Sequence, residues 1–241
     1  MKNFFGKVKK ILSRIVLYFF IISILSVIIF RFVPVPFTPL MVIRNVERIA
    51  HGKSFRLKKE WTPIKKISKN MQLAVICSED QNFTSHHGFD FHAINKAIKH
   101  NKRSRHKKGA STISQQTAKN LFLFPDRTWV RKGLEVYFTA LIELFWPKER
   151  IMEVYLNIIE LGDGIYGVEA ASQYYFTKSA KNLTRSQASL LAVVLPNPIK
   201  YSAMYPNAYI RRRQHWVMHQ MTLFGPITYD KPMFKLEEDE E

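Results

Sequence analysis

From Ile11 to Val33 the chain reads ILSRIVLYFFIISILSVIIFRFV, and between Ile15 and Phe30 it carries no charge. As a helix this run would extend roughly 35 Å at about 1.5 Å per residue, enough to cross a hydrocarbon core of about 30 Å. PVPFTP then places three prolines in six residues, the composition of a semi-rigid linker. Residues 40–70 mix periodicities and predict no element. From MQLAVICSED onward the pattern is helical: a compact apolar run yields to a polar turn and then to FHAINKAIKH. There Phe91, Ile94, Ala97 and Ile98 recur at three- and four-residue spacing, and Asp90 stands at the N-cap position. LEVYFTALIELFW is apolar on nearly all sides, which predicts a place at the centre of the core. Beyond it, Ile151, Val154, Tyr155, Ile158 and Ile159 form an apolar stripe. LTRSQASLLAVVLPNP opens with the capping-box pair Thr184 and Gln187 and is stopped by Pro196. A last amphipathic helix is predicted over 207–224. Strand-like alternation is scarce, so the domain reads as mainly α.

A length of 241 residues accommodates one good-sized domain and an appendage. Lysine and arginine total 37 against 19 acids, a formal charge of +18, and the acids at 237–241 belong to a solvated tail, so the body is more basic still. Such a surface calls for an anionic partner: nucleic acid, an anionic membrane or a phosphorylated substrate. The N-terminus narrows the choice. Lys2, Lys7, Lys9, Lys10 and Arg14 precede the apolar run, which by the positive-inside rule keeps them cytoplasmic and puts the remainder outside. No A-x-A-like cleavage site follows, which favours an uncleaved anchor over a signal peptide. Outside the cytoplasm no nucleic acid is expected, and an anionic lipid-linked substrate or headgroup layer becomes the natural partner. The single cysteine, Cys77, excludes an intramolecular disulfide and a Cys-based zinc finger; within LAVIC it reads as a buried, inert thiol.

Three segments carry candidate chemistry. SEDQNFTSHHGFD, residues 78–90, ends an apolar run and opens a glycine-containing turn, a position where Glu79 or Asp80 can sit at the edge of a cleft with one side dry. Partial desolvation raises a carboxylate's pKa and suits it to acid–base work. A metal cluster drawn from Glu79, Asp80, His86, His87, Asp90 and His92 is the second reading, weakened because adjacent histidines do not easily face one ion and no further His or Cys cluster completes the site. A polar turn is the third. A Mg²⁺ held partly by a phosphorylated substrate needs only one or two carboxylates and stays open. GASTISQQTAKN, residues 109–120, is dense in side-chain donors: Ser111, Thr112, Ser114, Gln115, Gln116, Thr117, Lys119 and Asn120. Capping by Ser111 or Thr112 explains its start, and a helix N-terminus so furnished also suits an anion or a sugar. DRTWVRKGLE brings Arg127, Arg131 and Lys132 near Glu135, either an ion-pair partner or a second catalytic group. Glu143, Glu149, Glu153 and Glu169 lie in helical patterns beside basic residues and read as solvated or ion-paired. KHNKRSRHKKG, residues 99–109, holds six Lys or Arg and reads as a loop, expected near the donor channel and the membrane surface.

In their order these segments resemble the motifs of the peptidoglycan glycosyltransferases, glycosyltransferase family 51. EDQNFTSHHGFD is similar to that family's E-D-x-x-F-x-x-H-x-G-x-D, GASTISQQTAKN to its G-x-S-T-x-x-Q-Q segment and RKGLE to its R-K-x-x-E, while KERIMEVYLN and GIYGVEAA resemble the fourth and fifth motifs. The resemblance covers roughly residues 60–200, with Met152 where leucine is expected. With no penicillin-binding domain behind it, the chain resembles the monofunctional biosynthetic type. The resemblance implies a lysozyme-like, two-lobed glycosyltransferase domain over 60–225. Before it come a basic N-terminus at 1–10, an anchor at 11–33 and a membrane-proximal linker at 34–59; an acidic tail at 226–241 follows. It implies polymerisation of lipid II onto a growing glycan carrying undecaprenyl pyrophosphate, by a single inverting displacement, in the cytoplasmic membrane with the domain on the periplasmic side. Glu79 would be the general base. Glu135 would act on the leaving-group side with a divalent ion such as Mg²⁺ or with the cations Lys119, Arg127, Arg131 and Lys132. Ser111, Thr112, Gln115, Gln116 and Asn120 would position sugar and phosphate groups or brace the cleft, with Asp80, Phe83, His86, Gly88 and Asp90 on the substrate side as the frame around the base. Other cell-wall synthesis or division proteins are implied partners. A lysozyme-like glycoside hydrolase, or a membrane-anchored scaffold that binds glycan or lipid II, are the alternatives.

Overall fold

The computed structural model describes residues 2–104, 107–126 and 128–229, and the chain divides after Pro34 into two compact units. The first unit is a single helix, α1 (Lys2–Phe32), whose stretch from Gly6 to Phe32 reaches a mean hydropathy of 2.6 and is long and apolar enough to cross a membrane.

The second unit begins by resolving the stretch that periodicity left unassigned. Thr38 caps α2 (Pro39–Ala50), with proline at the first helical position, where its missing N–H costs nothing. A two-residue strand β1 (Lys58–Lys59) and a 3₁₀ turn (Ile64–Lys66) follow. Next come α3 (Lys69–Glu79), α4 (Phe91–Arg103), α5 (Ile113–Phe122), α6 (Trp129–Phe145) and α7 (Lys148–Ile158). Strands β2 (Glu160–Gly162) and β3 (Ile165–Tyr166) precede α8 (Val168–Phe176), α9 (Arg185–Val194) and α10 (Ala208–Phe224). The three strands form one small sheet, β3 lying between β1, to which it is parallel, and β2, to which it is antiparallel. Strands of two or three residues are too short for alternation to show in the sequence.

The core lies where α3, α7 and α9 meet their neighbours. Met71 to Cys77 of α3 are all buried, as are Ile151, Val154, Tyr155, Ile158 and Ile159, the predicted stripe of α7. Burial pushes the Cys77 thiol up to about 12, so it is inert as expected. The capping box of Thr184 and Gln187 opens α9, Asp90 caps α4 and Asn207 caps α10.

One expectation fails here. LEVYFTALIELFW is not central: α6 buries the single stripe Glu135, Phe138, Thr139 and Ile142, while Val136 is exposed and Leu144 is 75% exposed. Hydrophobicity all round the helix was read as burial, whereas its buried face is the one carrying a carboxylate and a hydroxyl. Helix α4 forms with Asp90 as its cap; of its apolar stripe Ile94 and Ala97 are half-buried and Phe91 and Ile98 exposed.

Candidate active site

Helix α3 ends on Glu79, and the chain turns at Asp80. A carboxylate at a helix C-terminus faces the negative end of the dipole, so both acids need donors from elsewhere. Asp80 finds them at the start of α5: Ile113 N–H donates to its Oδ2 at 2.9 Å. His86 Nε2 donates to both of its oxygens, at 2.9 and 3.0 Å. The imidazole can do so because its Nδ1 accepts from Gly88 N–H at 3.1 Å, which leaves the proton on Nε2.

Glu79 is bound from α5 and braced from α7. The hydroxyl of the fully buried Tyr155 donates to Gln116 Oε1 (3.1 Å), which turns the Gln116 amide nitrogen towards Glu79 Oε2 (3.1 Å). Ser78 Oγ donates to Oε1 (3.2 Å). Burial, chiefly, and the neighbouring carboxylates raise the Tyr155 phenol far above its usual range, so it remains a donor. Burial also raises the Glu79 pKa, and Asp80 adds to the rise; the bonds from Gln116 and Ser78 and the charge of Arg213 oppose it. The result is a largely buried carboxylate with an elevated pKa, held by neutral donors and reaching a cavity of about 260 Å³. Asp80, Asp90, Ser111 and Thr112 also line that cavity, as does Gly109, the end of the basic loop. Arg105 and His106 lie outside the described residues.

Several of the expected site residues are engaged within the protein itself. Phe83 is fully buried, with Lys148 Nζ 4.7 Å from its ring centroid. His86 is occupied by Asp80. Asp90 lines the cavity, but its oxygens take Ala93 N–H (2.7 Å) and Asn82 Nδ2 (2.9 Å). Gln115 closes the capping box with Thr112 and does not line the cavity, so the two adjacent glutamines divide the work: Gln115 builds the helix start and Gln116 holds Glu79. His87, between motif positions, is exposed.

Gly88 is a packing residue. Its φ is +89°, and an added Cβ would lie 2.9 Å from Thr139 Cγ2 and 3.0 Å from Glu143 Cγ on α6. Its carbonyl accepts Thr112 Oγ1 at 2.7 Å. Gly88→Ala combines left-handed strain with overpacking and is expected to destabilise the protein by about 3 kcal/mol, or roughly 10 °C in melting temperature. A thermal melt in detergent checks this; an unchanged midpoint would show that the turn relaxes.

The second carboxylate lies on α6. Glu135 is buried and accepts Arg131 Nη1 at 2.9 Å and Lys132 Nζ. Lys119 stands between the two acids electrostatically. Desolvation lowers its pKa most, Glu135 and Glu79 raise it, and Arg131 and Lys132 lower it. Lys119, Asn120 and Arg131 line a second cavity of about 420 Å³ with Arg44, Asp126 and Glu160. Arg127 lies outside the described residues. Among the described residues no three His, Cys, Asp or Glu cluster as a metal site. Three further acids are structural: Glu143 takes Lys148 (2.7 Å) and Ser114, Glu153 takes Ile64 N–H (2.8 Å) and Arg150, and Glu169 takes Ala180 N–H (2.7 Å).

Sequence reasoning missed Arg44, Glu160, Arg213 and Trp216. Arg44 belongs to the stretch without clear periodicity, and Arg213 and Trp216 are 30 or more positions beyond 183, outside every segment read for chemistry.

The chain also matches known proteins. The family described as Transglycosylase matches residues 45–222. A biosynthetic peptidoglycan transglycosylase of Bdellovibrio bacteriovorus is 51% identical over 247 aligned positions, covering 100% of this chain and 99% of that protein. Proteins of the same description from Bacteroides thetaiotaomicron and Haemophilus influenzae are each 52% identical. The first alignment covers 91% of both chains, the second 90% of this chain and 89% of that one.

Proposed function

The chain belongs to the transglycosylase family, and from that premise we propose that it extends glycan strands from lipid II by a single inverting displacement with Glu79 as the base. Polymerisation of peptidoglycan glycan is its activity, and a peptidoglycan or lipid II substrate follows from the family. The observation that carries the assignment of roles is the Tyr155–Gln116–Glu79 chain of hydrogen bonds. It fixes a carboxylate of elevated pKa at the mouth of a cavity without a salt bridge to neutralise it, the state in which a carboxylate takes a proton most readily. In this reading the acceptor sugar lies in the cavity beside Glu79, which removes the proton from its 4-hydroxyl as that oxygen attacks the donor's anomeric carbon. The bond to undecaprenyl pyrophosphate breaks as the β-1,4 bond forms.

The departing pyrophosphate needs positive charge, and Lys119 and Arg131 line the second cavity with Arg44 at its edge. Ser111 and Thr112 line the acceptor cavity, and Asn120 the donor cavity. Both oxygens of Glu135 already hold a cation, so neutralisation falls first to the protein's own side chains. A Mg²⁺ held mainly by phosphate oxygens and water suits the one or two further carboxylates that this cavity offers, Asp126 and Glu160, and would neutralise charge on the leaving group.

Helix α1 is compatible with membrane anchoring. The finer reading, a single pass through the cytoplasmic membrane with the second unit on the periplasmic side, rests on Lys7, Lys9, Lys10 and Arg14 ahead of the apolar span. A membrane-facing mouth is supported by exposed Trp129, Val130 and Leu144 on α6, the helix that carries Arg131 and Lys132. Domain limits of 11–33 and 60–225, and contacts with other wall-synthesis proteins, belong to the same proposal.

Purified protein incubated with lipid II in detergent is expected to release undecaprenyl pyrophosphate and form a polymer that a muramidase digests. Release without polymer would instead indicate hydrolysis, and neither product would leave a binding scaffold.

A further inference from the structure

The cavity beside Glu79 has a wall that the chemistry above does not use. Helix α10 brings Arg213 to Ser78 from 135 positions away, its Nη2 donating to the Ser78 carbonyl at 3.4 Å. One turn on, Trp216 lines the cavity together with Ser78, Glu79 and Asp80. The guanidinium carbon of Arg213 lies 4.1 Å from the centroid of that indole ring. The helix is fixed against its neighbours: Gln214 Nε2 donates to the Ser186 carbonyl at 2.8 Å, and Gln81 Nε2 donates to Gln220 Oε1 at 3.3 Å. The indole is therefore a partly exposed aromatic surface held in one orientation at the mouth of the site, and 40% of it remains accessible.

A hexose presents one face made largely of C–H groups, which complements an indole face while its hydroxyls point elsewhere. An aromatic ring with its body apolar and its place pre-set is what such a face requires. We propose that Trp216 is the platform on which the acceptor sugar rests and that Arg213 positions that platform, so that the attacking hydroxyl is presented to Glu79. The inference rests on Glu79 being the base. Arg213 serves the base as well, since its charge opposes the rise that burial imposes on the Glu79 pKa. The other charged or titratable groups acting on Glu79 are Asp80 at the end of its own helix, Lys119 on α5 and Tyr155 on α7.

The test uses the full-length protein in detergent, a lipid-linked tetrasaccharide as saturating donor and lipid II as varied acceptor. Trp216→Leu is expected to raise the acceptor KM about tenfold with kcat within about threefold of wild type, and Trp216→Phe to recover most of the affinity. Arg213→Gln is expected to raise the acceptor KM and to move the acid limb of the pH–rate profile to higher pH, because a base with a higher pKa is lost sooner as pH falls; Arg213→Lys restores the limb. An unchanged acceptor KM in a Trp216→Leu protein that melts like wild type overturns the proposal, as does a donor KM that rises equally. Should Trp216→Leu not fold, Arg213→Gln decides, and an unshifted acceptor KM and acid limb overturn the proposal. Failure of the base assignment is distinguishable: an active Glu79→Gln protein would remove the base while leaving the Trp216 effect on acceptor KM standing.

Discussion

Glu79→Gln is expected to lower lipid II polymerisation by about 10³- to 10⁴-fold with the fold intact. Glutamine keeps an acceptor oxygen for Gln116 Nε2 and the volume of the side chain, so the Tyr155–Gln116 brace survives. What it cannot do is take a proton. The raised pKa of Glu79 also settles the sign of the stability effect. A carboxylate whose pKa is higher folded than unfolded is disfavoured as the ion in the folded state, so its burial costs stability at pH values above the folded pKa, and that cost is relieved as pH falls through it. A neutral glutamine removes the cost at neutral pH. The melting temperature of Glu79→Gln is therefore expected to equal or exceed that of wild type while the activity is lost. In the wild type, activity falls as Glu79 is protonated, with an acid limb above the ordinary carboxylate range. Polymer assay, pH profile and thermal melt check this together; a variant that polymerises at the wild-type rate would remove Glu79 from the chemistry.

Glu135→Gln is expected to lower kcat/KM by about 10²- to 10³-fold for a different reason. Glu135 is the buried anion that holds Arg131 and Lys132, and it is the largest influence raising the pKa of Lys119 against desolvation. With that charge removed, Arg131 and Lys132 still press the Lys119 pKa down and nothing comparable replaces the lost support. If the Lys119 ammonium stabilises the leaving pyrophosphate, activity falls as pH rises through its pKa, and Glu135→Gln moves that basic limb to lower pH. The pH profile separates this from simple unfolding. Removing the anion also takes the ion-pair partner from Arg131, whose buried Nε already lacks a hydrogen-bond partner among the described residues, so some loss of stability accompanies the variant. An unshifted basic limb with normal activity would show that Glu135 is only an ion-pair partner.

Much of this site was legible because its chemistry is local. Glu79 and Asp80 end an apolar run, Thr112 is one of the two caps expected for the next helix, and RKGLE places its two cations and the carboxylate at helical spacing. Spacing of three or four residues constrains neighbours on one helix whatever surrounds it. It does not say which face of the helix is buried. Helix α6, apolar on nearly all sides, therefore reads as central although only one of its faces is buried.

By itself, the sequence determined the helical class, the apolar N-terminal span, the helix caps and the set of residues from which a base and a cationic wall are drawn. Each depends on contacts within about one turn of chain. Only the tertiary structure decided how those residues divide. Gln115 and Gln116 differ by about 100° around α5, and packing against α3 and α7 turns the second, not the first, towards Glu79. Asp80, His86 and Gly88 became a frame because α5 and α6 close on the turn that carries them. Trp216 reached the cavity, and Arg213 the Ser78 carbonyl beside it, through the packing of α10 on α3 and α9, a contact between segments far apart in the chain that no periodicity within either one encodes.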